Sequence, residues 1–355
     1  MNRKISFRFE LLRGGAYYAL LRADMSKTPT INMDDSAAIK MSFSGTFAPY
    51  AENVNGDPLP VNWLSDEIRP IMIIDGVDYP LGVYLVAKAE ETQNMHTRRV
   101  TLQAFDRGLQ VRDTKAETAI YWPSGTLYLD AVEQLLSAAG ISTVLKTPST
   151  AALSEAREWP VGESYLDVVN ELLSEINYKG LWFNESGAAI LEPVVVPDAT
   201  YAQNEFDMAD ANSMVTPEYS ITSDIYERAN VFLVYCANPD KTGNMIATAV
   251  NDNPQSPLST VRRGRRIVRA EKVDNIESQN ALEKYAQWLR DKSLMTGEIV
   301  SLTTGLRPGF GVAQAVSIKD WDGVSTGVEH AFTMPLQVGG KMSHTVERIV
   351  YSLDG

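Results

Sequence analysis

Between residues 39 and 47, apolar and polar residues alternate along the run Ile39-Lys40-Met41-Ser42-Phe43-Ser44-Gly45-Thr46-Phe47. A period of two is typical of a β-strand with one buried face. The same alternation recurs at Val100-Thr101-Leu102-Gln103-Ala104. Between them, apolar runs at 71–74 and 77–86 flank Asp75-Gly76, a dipeptide that favours a tight β-hairpin. Residues 1–112 therefore predict an antiparallel β domain.

The pattern changes near residue 113. Apolar residues at helical spacing predict helices at 126–139 and 164–176. The two helices repeat one another, since the segment from Gly125 to Ser137 matches the segment from Gly162 to Ser174 at Gly, Tyr, Leu, Asp, Val, both Leu and Ser. Strands are expected at 180–184 and 188–196, with a turn between them. Residues 113–200 thus predict a small α+β domain with two similar helices.

From residue 201 the pattern is again that of strands. They are expected at 229–236, 298–304, 312–320, 329–336 and 345–353. One helix is expected at about 278–295, because Leu282, Ala286 and Leu289 share a face. The polar interval at about 238–269 includes Asn253-Pro254 and predicts a long mobile loop. Residues 201–355 therefore predict a second β-barrel carrying one helix.

Together these patterns predict an α+β, mainly β fold, with two antiparallel β-barrel domains and a small α+β domain between them in the sequence. Several domains are expected, because a single hydrophobic core stops growing near about 250–300 residues and the chain has 355.

The composition argues against several classes of function. The chain has 32 basic and 45 acidic residues, so a net charge of −13 disfavours a DNA-binding role. Its single cysteine, Cys236, excludes an intramolecular disulfide. No run of about 18 apolar residues is present, so no stable membrane association is expected.

The sequence indicates no catalytic, cofactor-binding or metal-binding residue, and no cofactor is expected. The three histidines, His96, His330 and His344, lie in or beside predicted strands, and neither GxSxG nor HExxH occurs. Cys236 follows an apolar run and is expected to be a buried core residue. Carboxylates such as Glu155 and Glu158 could form a glycosidase pair by chance, but one sequence favours no particular pair, and we interpret these two as part of a solvated loop.

Four further motifs each have a functional and a structural explanation. Gly309-Phe310-Gly311 lacks a βαβ context, so we interpret it as a strand connection. Asp320-Trp321-Asp322-Gly323 is better explained as a turn than as a calcium loop. Arg262-Arg263-Gly264-Arg265-Arg266 is expected to be an exposed, protease-sensitive segment or a docking site for an acidic partner. The aromatic residues Trp159, Tyr165, Trp182 and Phe183 fit a sugar-binding face or core packing.

Three longer segments of the sequence resemble segments of a known protein family. They are Glu158-Trp159-Pro160-Val161-Gly162-Glu163-Ser164-Tyr165-Leu166-Asp167-Val168-Val169-Asn170-Glu171-Leu172-Leu173, Leu181-Trp182-Phe183-Asn184-Glu185-Ser186-Gly187 and Glu227-Arg228-Ala229-Asn230-Val231-Phe232-Leu233-Val234. In these phrases and in its organisation, the chain resembles baseplate and tail hub proteins of tailed bacteriophages, which are late control protein D-like and related to the hubs of contractile injection systems. The resemblance implies that both β-barrels are tail-tube-like.

The resemblance further implies a structural virion protein and not an enzyme. It implies a homotrimeric hub at the tail tip or baseplate, synthesised in the host cytoplasm, that joins a six-fold tail tube to a three-fold tail tip. Implied partners are a tail tube or distal tail protein, a tape measure protein, and a tail-tip fibre or spike protein, with DNA only passing through the lumen. The alternatives are a cell-wall-degrading enzyme or carbohydrate-binding protein of the tail tip, and a monomeric β-rich binding module unrelated to phages.

Overall fold

The computed structural model describes residues 3–194, 202–208, 210, 213–216, 218–222, 228–236, 245–254, 256, 258–273, 279–294, 297–321 and 323–349. Strands hold 47% of the residues and helices 14%, which confirms the α+β, mainly β prediction. The first nine strands are β1 (Ile5–Arg13), β2 (Ala16–Ala23), β3 (Thr30–Asp34), β4 (Met41–Glu52), β5 (Pro58–Leu59), β6 (Glu67–Ile74), β7 (Val77–Pro80), β8 (Tyr84–Gln93) and β9 (Arg98–Phe105).

Six of these strands form a closed antiparallel barrel. Their order is β4-β2-β1-β6-β8-β9, and pairing of β9 with β4 closes it. The alternation in the sequence places Phe43 and Phe47 of β4 in the interior, where both are buried. Phe9 of β1 packs edge-on against Phe47, with ring centroids 5.4 Å apart. These rings occupy the barrel core.

The predicted hairpin at Asp75-Gly76 is confirmed. Asp75 has φ 50° and Gly76 has φ 87°, and Ile74 pairs with Val77 across the turn. Positive φ at both central residues is the requirement of a type I′ turn, whose twist matches that of the flanking strands.

A middle unit of three helices and two small sheets follows the barrel. Its elements are α1 (Gly108–Asp113), β10 (Ile120–Trp122), α2 (Tyr128–Ala138), β11 (Val144–Lys146), β12 (Arg157–Trp159), α3 (Tyr165–Glu175), β13 (Trp182–Phe183) and β14 (Ala189–Leu191). Both predicted helices are present as α2 and α3. The turn predicted between the two last strands is also present, with Gly187 N donating to Asn184 O at 2.9 Å.

The repeated sequence folds into a unit with an internal two-fold relation. β10 pairs antiparallel with β12, and Trp122 packs edge-on against Trp159 at 5.5 Å between ring centroids. Trp122 Nε1 donates to Gln134 Oε1 of α2 at 3.3 Å. At the matching position of the second repeat, Trp159 Nε1 donates to Glu171 Oε2 of α3 at 2.8 Å.

Backbone hydrogen bonds follow the same symmetry. The segment before each repeat accepts hydrogen bonds from the start of the other repeat's helix: Tyr128 N donates to Ala151 O (3.1 Å) and Tyr165 N to Thr114 O (3.0 Å). The glycine before each helix is bonded in the same way, with Gly125 N donating to Leu153 O (2.8 Å) and Gly162 N to Ala116 O (2.8 Å). The first backbone N–H groups of a helix have no partner within it. Each repeat therefore satisfies donors of the other, and the two fold as one unit.

The remaining elements are again mostly strands. They are β15 (Asn204–Asp207), β16 (Ser220–Thr222), β17 (Val231–Cys236), β18 (Met245–Val250), α4 (Thr260–Arg263), β19 (Val268–Lys272), α5 (Gln279–Leu294), β20 (Gly297–Gly305), β21 (Ala315–Asp320), β22 (Gly323–Pro335) and β23 (Lys341–Ile349). Six of them follow in the order β16-β20-β23-β22-β21-β15. β15 pairs in parallel with β21, whereas antiparallel pairing was predicted throughout. The long connection between them permits a parallel pair.

The loop predicted at 238–269 differs from the structure over its described residues, which include β18, α4 and the start of β19. β18, β17 and β19 form a separate three-stranded sheet, and α5 covers one face of it through Leu282, Ala286 and Leu289. The prediction of a loop was wrong here because at most one face of the strands in this interval is buried. The interval as a whole is polar, which gives it a loop-like composition. The helix predicted at 278–295 is confirmed as α5.

β3 joins the two large groups of strands into one sheet. One edge of β3 pairs with β4 of the barrel, and the other pairs with β22 of the C-terminal strands. The sheet is therefore continuous across the predicted domains, and the boundaries at 1–112, 113–200 and 201–355 stay a prediction.

An ion-pair cluster lies across the seam between β3 and β22. His330 of β22 contacts Asp35 Oδ2 through Nδ1 at 2.5 Å and Glu347 Oε2 through Nε2 at 3.0 Å. Hydrogen bonds to Asp35 and then to Glu347 raise the pKa of His330 to about 10, against the opposing effect of burial. The imidazolium ring is therefore charged at neutral pH and links the segment after β3 to β23.

We predict that His330→Gln destabilises the protein in a pH-dependent way. Since the pKa of His330 is raised above its ordinary value of 6.5, the stabilisation is fully present below about pH 6.5 and is lost as the pH rises through about 10. The loss should be about 2 kcal/mol near pH 6 and should vanish above pH 10. Urea unfolding at both pH values measures it. His96→Gln, at an exposed site, is the control; an equal loss at both pH values would contradict the assignment.

Candidate functional site

The histidines have three different environments. His96 lies exposed in the turn between β8 and β9, where its backbone N donates to Asn94 Oδ1 at 2.9 Å. His330 belongs to the seam described above. His344 of β23 is buried, with its side chain fully inaccessible. Of the three, only His344 lies between a carboxylate and a hydroxyl group, as a catalytic base would.

His344 stands between a carboxylate and a hydroxyl group. Its Nδ1 lies 2.5 Å from Glu329 Oε1, and its Nε2 lies 2.8 Å from Thr304 Oγ1. An acid, a base and a hydroxyl in this order are the arrangement that activates a nucleophile in hydrolases. The sequence analysis missed this cluster, because the three residues come from β20, β22 and β23, and only strand register brings them together.

The burial of this cluster argues against catalysis. The rings of Phe206 and Phe310 lie 5.0 Å and 4.9 Å from the His344 ring, and the Glu329 side chain is also fully inaccessible. Burial raises the pKa of Glu329 and lowers the pKa of Arg307, whose guanidinium group stacks over Phe310 at 4.9 Å. A substrate has no path to Thr304 without separation of these strands, so the cluster holds them together.

The other sequence candidates are dispersed. Gly309-Phe310-Gly311 connects β20 to β21, as interpreted, and Phe310 packs in the core. Asp320 Oδ2 accepts from Arg348 Nη1 at 2.6 Å, so this carboxylate is engaged, while Asp322 lies outside the described residues. The side chain of Cys236, at the end of β17, also lies outside them.

Glu155 and Glu158 are both exposed, and Glu158 opposes Tyr121 in the β10–β12 pair. Both carboxylates therefore lie on the surface of the middle unit. The arginine run begins in α4, capped by Ser259 Oγ, which accepts from Arg262 N at 3.1 Å. Arg262, Arg265 and Arg266 are exposed. The exposure predicted for this run is confirmed for these three residues, whereas Arg263 is half-buried and donates to Arg228 O at 2.6 Å.

The cluster of aromatic residues does not form one face. Trp159 is buried in the middle unit, whereas Trp182 lines a cavity of about 480 Å³ between the first barrel, β13 and the loop before β21. Asp106 also lines this cavity, and burial raises the pKa of its carboxyl to about 7. Both Asp106 oxygens accept backbone N–H groups, of Gly108 at 2.8 Å and Met41 at 3.2 Å. This carboxyl therefore positions the start of α1.

Across the described part of the chain, no set of three or more His, Cys, Asp or Glu side chains is placed to hold a metal ion. The helices in that part are all too short or too polar to cross a membrane.

The architecture combines a closed β-barrel, a helical middle unit and a second set of strands in one chain. No protein-family model and no curated protein sequence matches the chain. Solved structures with the same fold nevertheless extend over nearly its whole length, which confirms the resemblance to tail hub proteins at the level of the fold.

Three of these structures illustrate the likeness. A tail protein from Neisseria meningitidis MC58 is 14% identical, with a TM-score of 0.64 and 96% of each chain covered. The 43 kDa tail protein of prophage MuSo2 from Shewanella oneidensis is 12% identical, with a TM-score of 0.67 over 97% of this chain and 98% of its own. The E. coli c3393 protein, a type VI secretion system component similar in structure to the T4 bacteriophage tail proteins gp27 and gp5, is 11% identical, with a TM-score of 0.51 over 99% of this chain and 78% of its own.

We predict that Glu329→Ala destabilises the protein by about 1–3 kcal/mol, because it leaves the buried Nδ1 of His344 without its hydrogen-bond partner. Glu205→Ala, at an exposed position of β15, should cost less than about 0.5 kcal/mol. Urea denaturation of both variants measures the difference. A Glu329→Ala protein of unchanged stability would contradict a structural role for the cluster.

Proposed function

We propose that this chain is a structural virion protein that forms the trimeric hub of a phage tail or baseplate. The observation that carries the proposal is the single sheet in which β3 unites a closed barrel with a second set of six strands. Two such β units in each of three chains give six units around one axis. A ring of this kind can face a six-fold tail tube on one side and a three-fold tip on the other.

The proposed partners follow from this position. A tail tube or distal tail protein would contact one end of the ring, a fibre or spike protein the other end, and a tape measure protein would occupy or border the passage. The fold shared with phage tail proteins supports this placement in the virion. Closed cyclic symmetry suits the role, since a heterologous contact that closes does not grow into filaments.

DNA would pass through the lumen without being bound. The chain carries a net charge of −13, and an acidic wall repels phosphates, whereas a basic wall would hold them through counterion release. We therefore propose that the acidic excess is greater on the wall of the passage than on the outer surface.

We also propose a non-enzymatic role, in preference to a tail-tip lysin or a carbohydrate-binding protein. The side chains of His344 and Glu329 are fully buried beside Thr304, and Glu155 and Glu158 are exposed on the surface.

We expect that three chains surround the axis at the tail tip of assembled particles. Cryo-electron microscopy of particles carrying a tagged chain measures the copy number and position, and light scattering of the purified chain should give three times 39.2 kDa. A monomer or dimer in both settings would contradict the hub. A predominantly basic lumen would contradict the electrostatic proposal alone.

The purified chain should not degrade peptidoglycan. Release of soluble muropeptides measures this activity, with lysozyme as the positive control. Degradation that Glu158→Gln or Glu329→Gln abolishes would favour the lysin alternative.

A further inference from the structure

The small sheet β18-β17-β19 has one covered and one open face. Phe232 and Val234 of β17 pack under α5 and are buried. The residues between and after them point to the other side, since side chains alternate along a strand. On that side, Tyr235 is 37% exposed, Ile246 is 55% exposed and Val268 is 55% exposed.

Strand register places these side chains on one face, with Tyr235 and Ile246 towards one end and Val268 towards the other. Tyr235 pairs with Ile246 across the β17–β18 ladder, and Val231 pairs with Val268 across the β17–β19 ladder. Directly paired residues lie on the same face of a sheet. Val231 itself is buried, and the half-buried Leu233 lies between the two pairs opposite Ala270. The open face is therefore mainly apolar, interrupted by the exposed Thr248 and Lys272. A surface of this kind marks an interaction site.

Exposed basic residues precede β19 in the chain. Arg266 lies two residues before Val268, and Arg262 is exposed on the adjacent α4. Residues 228–273 contain eight basic and three acidic residues, a net charge of +5 in a chain whose total is −13. The partner of this face should therefore be acidic, with apolar groups at its centre.

The chain itself carries such a surface on its middle unit. Residues 113–194 contain twelve acidic and four basic residues, a net charge of −8. On β10 and in the turn after β12, Tyr121 is 60% exposed and Val161 is 64% exposed. Glu158 opposes Tyr121 in the sheet, and Glu155 lies exposed nearby. Exposed apolar groups are thus bordered by carboxylates.

We propose that the open face of β18-β17-β19 docks onto the β10–β12 surface of a second copy of this chain. The two surfaces lie on different parts of the molecule and differ in charge, so the contact is heterologous and propagates from copy to copy until a ring closes. The inference rests on the proposed function, since it names the subunit contact of the trimeric hub. Charge complementarity sets the orientation, and apolar burial supplies the main stabilisation.

The first test is a charge swap. Arg262→Glu with Arg266→Glu should convert the trimer into monomers in size-exclusion chromatography with light scattering, because it places like charges across the contact. Adding Glu155→Arg and Glu158→Arg to the same chain should restore the trimer, since every contact is then reversed in sign. Lys27→Glu with Lys341→Glu, at exposed sites elsewhere, makes the same change in net charge and should leave the trimer intact.

The second test probes the apolar part of the contact. Ile246→Ser with Val268→Ser should raise the dissociation constant of the trimer at least 100-fold, while the monomer keeps its circular dichroism spectrum because both residues are already exposed in it. A trimer that persists in both the arginine and the serine variants overturns this contact and leaves the hub proposal standing. A wild-type chain that is monomeric at all concentrations overturns both proposals.

Discussion

The architecture depends on the double pairing of β3. This five-residue strand is hydrogen-bonded to β4 on one side and to β22 on the other. Because both edges are used, a rotation of the C-terminal strands against the barrel would break a backbone ladder, which is far costlier than sliding at a surface contact. Met33 and Ile31 of β3 are buried in the core that both groups share. The two β units are therefore joined by backbone hydrogen bonds on both edges of β3.

Elements with strong local periodicity could be predicted from the sequence. The alternation at 39–47 became the core-lining half of β4, Asp75-Gly76 became the I′ turn, and the repeated helices became α2 and α3. In each case a short stretch contains the whole signal, since the period of buried residues and the turn chemistry are both local. The matching of Gly125 and Gly162 also indicated a duplicated unit, although not the exchange of hydrogen bonds between its halves.

Features that depend on pairing between distant residues could not be predicted. β17 and β19 pair in parallel although about half of the intervening interval has a loop-like composition, and β15 reaches β21 across a connection of more than a hundred residues. The cluster of Thr304, His344 and Glu329 could not be predicted for the same reason, since these residues meet only through the register of three strands. A single sequence does not encode register between distant strands in any short pattern.

The exchange between the two repeats of the middle unit has a consequence for synthesis. Tyr128 at the start of α2 needs Ala151 as its hydrogen-bond partner, and Trp122 needs Trp159 to complete its packing. A ribosome adds about 5–20 residues per second, so the first repeat leaves the exit tunnel seconds before its counterpart. During that interval an amphipathic helix with an uncovered apolar face is present in the nascent chain. A pause in translation between the two repeats thus prolongs the exposure of this apolar face and raises the risk of aggregation.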